Sequence, residues 1–130
     1  MAKKKNIKVK KIIRAAKKGR VYISASFNNT LVTVTDDKGD AIVWSSSGNV
    51  GFKGTRKSTP FAATTAVDKA IKQAKEENGM EEVDIFVKGP GPGRDATLRA
   101  IRAAGLKISM IADLTPIPHN GPRPKKKRRV

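Results

Sequence analysis

Hydrophobic and polar residues alternate with a period of two in residues 21–27 and 83–87, a pattern typical of β-strands with one buried face. Three further short stretches that are apolar or rich in β-branched residues are also predicted to be strands. The five predicted strands cover residues 20–27, 31–35, 41–45, 82–88 and 107–113. Short polar turns separate the first three strands, so these are expected to form an antiparallel meander. In the first strand the alternation assigns four apolar side chains to one face: Val21, Ile23, Ala25 and Phe27.

Two further segments have apolar residues at helical spacing, together with signals for a helix start and stop. The predicted helices cover residues 60–77 and 96–104. Thr59 is a suitable N-cap for the first helix, and Pro60 suits its first position. Gly79 and Gly105 can end the two helices. The order β-β-β-α-β-α-β predicts an α/β fold with a mixed five-stranded sheet and two helices, a ribonuclease H-like layout. Right-handed crossovers should make strands four and five parallel.

The 130 residues suit one domain, and their formal net charge of +17 is unevenly distributed. Residues 1–20 hold ten Lys or Arg and no acid, and residues 117–130 hold six and no acid. The remainder holds 12 basic and 11 acidic residues. We therefore predict a basic N-terminal arm (1–20), a single α/β globular domain (21–116) and a basic C-terminal tail (117–130). Cationic tails neutralise phosphates and release counterions, which favours a nucleic-acid partner over a purely solubilising role.

Several classes of protein and site are excluded or disfavoured. Without Cys there are no disulfides or thiolate metal sites, and the single His119 cannot form a histidine metal cluster. No apolar run approaches the length of a membrane span, and no apolar segment follows the basic N-terminus as in a secretory signal. A cytoplasmic protein without metal, cofactor or membrane contact is expected. Residues 124–130 also fit a nuclear import signal, although an RNA-binding tail explains them equally well.

Residues 46–59 form a long loop rich in glycine, hydroxyl and cationic side chains. Loops of this length usually have a function or are mobile. Hydroxyl groups and cations such as Lys53 and Arg56 suit phosphate and ribose, and Phe52 could stack on a base. The alternative is a flexible loop with Phe52 packed in the core. The two basic tails favour the RNA-binding interpretation.

Residues 88–95, Lys-Gly-Pro-Gly-Pro-Gly-Arg-Asp, lie between the fourth strand and the second helix. Their glycines permit a tight turn, and the loop N–H groups gather near a helix N-terminus, where an anion is favoured. Arg94 adds a guanidinium suited to phosphate. The loop lacks the Lys-Ser/Thr ending of a nucleotide P-loop and the spacing of a dinucleotide fingerprint. A rigid strand–helix turn explains the segment equally well, and only the charge of the whole chain favours a nucleic-acid phosphate.

Catalysis is not expected. A metal-dependent nuclease needs several carboxylates that converge on metal ions. Here the first strand has no acid, Asp84 alternates within strand four, and Asp113 stands alone near the end of strand five. His119 lies in a proline-rich tail, which is poor placement for a rigidly held base. A structural RNA-binding protein is therefore favoured over a ribonuclease H-like nuclease.

Three segments resemble bacterial small-subunit ribosomal protein eleven: residues 44–63 (WSSSGNVGFKGTRKSTPFAA), 89–94 (GPGPGR) and 113–121 (DLTPIPHNG). The resemblance covers nearly the whole chain. It implies a structural constituent of the small ribosomal subunit that bridges helices of the small-subunit ribosomal RNA on the platform. It also implies a contribution to the cleft that holds the messenger Shine-Dalgarno duplex. The implied neighbours are small-subunit ribosomal proteins seven and eighteen and an initiation factor. A non-ribosomal RNA chaperone with the same charges is the alternative.

The residues predicted to contact RNA lie in the arm, three loops and the tail. They are Lys10, Lys11, Arg14, Lys17 and Lys18; Asn28, Asn29 and Thr30; Ser46, Ser47, Gly48, Gly51, Phe52, Lys53, Gly54, Arg56 and Lys57; Gly91, Gly93 and Arg94; and His119, Asn120, Gly121, Arg123, Lys125, Lys126, Lys127, Arg128 and Arg129.

Asn120 and Gly121 form a pair that is open to isoaspartate formation. Glycine has no side chain to shield its N–H, so the Gly121 nitrogen can attack the Asn120 side-chain carbonyl. The attack expels ammonia and closes a succinimide, and water reopens the ring mostly to isoaspartate. An ordinary turn is the simpler interpretation, since Asn-Gly is a common turn pair. We hypothesise that copies in mature particles carry isoaspartate at position 120, where the longer backbone redirects the tail.

Overall fold

Five strands form one mixed sheet in a computed structural model that describes residues 16–129. They are β1 (Lys18–Ala25), β2 (Thr30–Asp36), β3 (Ala41–Ser46), β4 (Glu82–Lys88) and β5 (Lys107–Asp113). Their order across the sheet is β3-β2-β1-β4-β5. β2 is antiparallel to β1 and β3, whereas β4 is parallel to β1 and β5. The predicted meander, the parallel pairing of the last two strands and the mixed α/β fold are confirmed.

The first helix, α1 (Pro60–Asn78), has the predicted start and stop signals. The Thr59 hydroxyl accepts the N–H of Ala62 at 3.3 Å, which satisfies a donor that has no partner within the helix. Gly79 ends the helix in the left-handed conformation with φ of 64°. Its N–H donates to the Lys75 carbonyl at 3.2 Å, so one of the last carbonyls is also satisfied.

The second helix, α2 (Arg94–Ala103), begins two residues earlier than the apolar pattern predicted. The carbonyl of Gly93 already accepts the Thr97 N–H at 3.0 Å, so the first turn closes directly after the glycine-proline loop. Gly105 follows with φ of 85°, as expected for a helix end. A short 3₁₀ helix, Gly54–Ser58, lies within the long loop before α1.

The core lies between one face of the sheet and the two helices, which contact each other. Inner-face side chains such as Val21, Ile85 and Val34 are fully buried. The side of α1 that faces the sheet carries small residues, all buried: Ala62, Ala63, Ala66, Ala70 and Ala74. These allow the helix backbone to approach the strands closely. Neither helix lies on the opposite face of the sheet, so the fold has two layers.

β1 starts at Lys18, before the apolar alternation begins. The Lys17 carbonyl accepts the N–H groups of Glu81 and Glu82 at 2.8 and 3.0 Å, and the Ala16 N–H donates to the Asn78 carbonyl at 3.1 Å. The sheet therefore includes residues that the charge pattern assigned to the arm. The division of the chain at residues 20 and 116 stays a prediction.

Phe27 does not lie on the inner face, so that part of the prediction is wrong. β1 ends at Ala25, and a tight turn follows in which the Ser26 N–H donates to the Asn29 carbonyl at 2.9 Å. The Asn29 N–H in turn donates to the Ser26 hydroxyl at 3.1 Å. The turn ends the alternation and leaves Phe27 71% exposed.

Three predicted RNA contacts, Lys10, Lys11 and Arg14, lie outside the described residues. Among residues 16–129, neither α-helix has the length and apolarity that a bilayer crossing requires.

Candidate nucleic-acid interface

The loops predicted to bind RNA emerge at a single edge of the sheet. β1, β4 and β5 are parallel, and β3 runs in the same direction because it and β1 are both antiparallel to β2. Their carboxyl ends therefore lie at one edge, where the chain continues into residues 26–29, 47–59, 89–93 and 114–129. We call this edge, with those four segments, the loop edge. Segments far apart in sequence are thus brought together by strand direction alone.

The acidic residues of the chain concentrate at the opposite edge. Seven of the 11 lie in the β2–β3 turn, at the end of α1 or at the start of β4: Asp36, Asp37, Asp40, Glu76, Glu77, Glu81 and Glu82. Only Asp95 and Asp113 lie at the loop edge among the described residues. Cations including Lys17, Lys18, Lys38 and Lys107 lie beside these acids, whereas at the loop edge the cations outnumber the acids. A polyanion is therefore favoured at the loop edge.

The glycines of the loop at residues 89–93 are required by close packing. A β-carbon on Gly89 would stand 2.3 Å from the Ala25 carbonyl oxygen, and one on Gly91 would stand 2.3 Å from the Ser26 carbonyl oxygen. One on Gly93 would meet the side chains of Thr30 and Ala63 at 2.5 and 2.8 Å. The interpretation as a rigid strand–helix turn thus has a clear physical basis.

The N–H groups of this loop are largely occupied, so the expectation that they gather to bind an anion is wrong for two of them. The Gly91 N–H donates to the Ala25 carbonyl at 2.9 Å, and the Gly89 N–H donates to the Thr115 hydroxyl at 3.2 Å. The sequence could not show these partners because they belong to other strands and loops.

Arg94 fastens the same loop to the end of β5. Its guanidinium donates to the Gly89 carbonyl at 2.9 Å and forms an ion pair with the Asp113 carboxylate at 2.9 Å. The Asp113 carboxylate also accepts the hydroxyl and N–H of Thr115. The Thr115 hydrogen bonds, followed by that from Arg94, hold the pKa of Asp113 well below its usual range. The contact of Arg94 with phosphate stays a prediction. The sequence did not indicate that Arg94 also joins the loop to β5 through Gly89 and Asp113.

The long loop presents some predicted residues and buries others. Lys53 and Arg56 are exposed in and before the 3₁₀ helix, where they can reach phosphate. Ser46 and Ser47 are buried, and the Ser46 hydroxyl accepts the Asn49 N–H at 3.0 Å. The buried side chains of these two serines are not accessible to RNA in this conformation, so their predicted contacts cannot form here.

A profile of the protein family described as ribosomal protein S11 matches residues 19–129. The chain belongs to the ribosomal protein S11 family. It is similar to curated proteins named small ribosomal subunit protein uS11, with 55% identity to that of Desulfovibrio desulfuricans and 57% to that of Aquifex aeolicus. Each comparison spans 130 residues and the full length of both chains. A protein named uS11c from Mesostigma viride is 54% identical over 131 residues, again over both full lengths.

Membership of the S11 family confirms the predicted resemblance and the coarse function. The chain is a structural RNA-binding constituent of the small ribosomal subunit in the cytoplasmic ribosome, and it is not an enzyme. Within residues 16–129 no group of three or more His, Cys, Asp or Glu side chains could hold a metal ion.

Phe61 is a surface residue of this S11-family protein that the sequence analysis missed. It is 70% exposed at the start of α1 and meets Phe52 edge to face, with ring centroids 5.9 Å apart. Phe52, predicted to stack on a base, is half-buried against it. Helical spacing could have indicated the exposure of Phe61, because this residue does not lie on the face of α1 that carries the buried alanines.

The described part of the C-terminal tail, residues 117–129, is exposed and contains no helix or strand. Asn120 adopts φ of 61°, the left-handed conformation that asparagine tolerates in turns. A β-carbon on Gly121 would approach Pro118 to 3.1 Å. Both the turn and the isoaspartate hypothesis fit this exposed geometry, and the modification stays a prediction.

Proposed function

We propose that the loop edge is the surface by which the chain bridges helices of the small-subunit ribosomal RNA on the platform. The observation that supports this most strongly is the separation of charge: the loops with Lys53, Arg56 and the basic tail lie at one edge, and most acids lie at the other. Phosphate contacts of this kind fix position without reading sequence. The rigid turn at residues 89–93 sets the spacing between the segments.

We further propose that the tail, residues 117–130, contributes to the cleft for the messenger Shine-Dalgarno duplex. Small-subunit ribosomal proteins seven and eighteen and an initiation factor are the proposed protein neighbours. The sequence resemblance supports these assignments. The exposed cations and lack of helix or strand in residues 117–129 suit a segment that lies in an RNA groove.

A matched pair of double variants tests the loop edge. Lys53→Ala with Arg56→Ala removes two cations from the loop edge, whereas Lys38→Ala with Lys107→Ala removes two exposed cations from the opposite edge. Both proteins have the same net charge. Binding to a platform fragment of the ribosomal RNA is measured across a salt titration.

We expect the loop-edge variant to lose affinity and to reduce the slope of log K against log salt by about 0.7–0.9 for each lost phosphate contact. The control variant should retain the slope of the parent. Equal losses in both variants would show that net charge, and not the loop edge, determines binding.

A further inference from the structure

The face of the sheet opposite the helices carries a band of aromatic and aliphatic side chains. Trp44 is 64% exposed, and Leu31 and Leu114 are each 49% exposed. Tyr22 on β1 and Phe86 on β4 face each other in register on the same side of the sheet. Apolar surface of this extent on a small domain is typical of a binding site.

A groove of about 180 Å³ lies in this face over Ser24. In the strand register, Ser24 lies between Leu31 on β2 and Lys88 on β4. Its short side chain leaves a gap between these two longer ones. The rings of Tyr22 and Phe86 are nearly parallel, with centroids 5.1 Å apart and an angle of 16°, and they form one wall. The groove therefore has a polar floor, an aromatic wall and a cation at its rim.

The polar groups of the groove favour a nucleotide over an apolar protein side chain. Within residues 16–129, neither the Ser24 hydroxyl nor the Lys88 ammonium forms a hydrogen bond or ion pair. Among the described residues, no carboxylate lines the groove. An apolar side chain would cover the hydroxyl without giving it a partner, at a cost in free energy. A base can accept or donate at Ser24, and its phosphate can pair with Lys88.

The groove also continues the surface already assigned to RNA. Lys88 is the last residue of β4, and the glycine-proline loop follows it at the loop edge. The carboxylates of the same strand, Glu82 and Asp84, lie toward the other end. A strand of RNA leaving the loop edge along β4 therefore reaches Lys88 before Asp84 or Glu82.

We propose that this groove binds one unpaired nucleobase of an RNA loop. Stacking of unpaired bases on aromatic side chains of a sheet is an established mode of single-strand recognition. The proposal rests on RNA binding at the loop edge and adds a second site. Apart from the predicted stacking of Phe52 on a base, the other predicted contacts are with phosphate and ribose.

Aromatic and methyl NMR of the full chain can separate the two sites. The probes are a tetra-adenylate RNA and an abasic oligomer of the same length and charge. We expect tetra-adenylate to shift the signals of Tyr22, Phe86, Leu31 and Leu114, and the abasic oligomer to leave them in place. Both oligomers should shift the signals of Phe52 and Phe61 at the loop edge.

Ser24→Leu fills the groove and should weaken tetra-adenylate binding about fivefold or more, since stacking on one base has at least that effect. Binding of the abasic oligomer should not change. Thr64→Leu on α1 is the matched control on the other side of the sheet. Buried Val21 and Ile23 signals report folding, and Leu31→Ala, which removes an exposed wall, replaces Ser24→Leu if that variant fails to fold.

Equal shifts from both oligomers, or a folded Ser24→Leu protein that binds tetra-adenylate as tightly as the parent, would overturn the proposal. If only the loop-edge signals shift and the groove signals do not, the proposed function is retained and only the base-binding site is refuted. If only the groove signals shift and those of Phe52 and Phe61 do not, RNA binding at the loop edge, and with it the proposed function, is refuted.

Discussion

Replacement of Gly91 by alanine tests whether the glycine-proline loop is a packed turn. The added β-carbon would stand 2.3 Å from the Ser26 carbonyl oxygen and 2.7 Å from the Ala25 carbonyl carbon. Both are backbone atoms, which cannot move aside as a flexible side chain can. The Gly91 N–H also donates to the Ala25 carbonyl, so any shift of the loop lengthens a hydrogen bond.

Overpacking of this kind typically costs about 1–3 kcal/mol. Because the contacts are with backbone at the end of the central strand β1 and in the turn directly after it, we expect Gly91→Ala to lie at the upper end of that range. Gly48→Ala is the matched control, since its β-carbon would meet no atom nearer than Lys57 Cδ at 3.6 Å. Its effect should stay within about 0.5 kcal/mol.

Urea unfolding of the full chain, followed by circular dichroism, gives the free energy of unfolding of each variant. A lower midpoint with an unchanged slope identifies a loss of stability in the same folded state. A Gly91→Ala protein as stable as the parent would refute the packed turn. It would favour the alternative interpretation, in which the loop is open and its N–H groups bind an anion.

Three further predictions follow from the interface and the tail. Asp113→Asn should destabilise the protein at pH 7, because the lowered pKa of Asp113 gives stability that is fully present above its ordinary value of about 4. That stability decreases below this value and is lost only as the pH falls through the lowered pKa. The difference in urea midpoint between parent and variant should therefore be smaller at pH 3 than at pH 7, and an equal difference at both would contradict this. A fragment of residues 16–116 should show a flatter salt dependence of RNA binding than the full chain, and an unchanged slope would show that the tails contribute no phosphate contacts. Peptide mass spectrometry with isoaspartyl methyltransferase labelling of assembled subunits should detect isoaspartate at position 120, and intact asparagine throughout would refute that hypothesis.

The order and type of the elements were predictable because each has a strong local signal. Alternation indicates the first and fourth strands and β-branched residues indicate the second, while Thr59, Pro60 and Gly79 indicate the limits of α1. The start of β1 was not predictable, because the inner position before Val21 is Gly19, which gives no apolar signal, and the strand is extended by pairing with β2 and β4. Such pairing depends on residues far away in sequence.

The candidate site was predictable in its location and only partly in its contacts. Cationic and glycine-rich loops were evident from the sequence. The ion pair of Arg94 with Asp113 joins residues 19 positions apart through the β4–β5 pairing, so no local pattern shows it. The exposure of Phe61 and the groove over Ser24 likewise depend on which face of an element is covered.

A cryo-electron microscopy map of an assembled small subunit that contains this chain would show directly which edge of the sheet contacts RNA. We expect ribosomal RNA to lie against Lys53, Arg56 and the tail at residues 117–129, with the acidic turn at residues 36–40 facing away from phosphate. Ribosomal RNA packed along the acidic edge, with the loop edge facing solvent, would contradict this expectation.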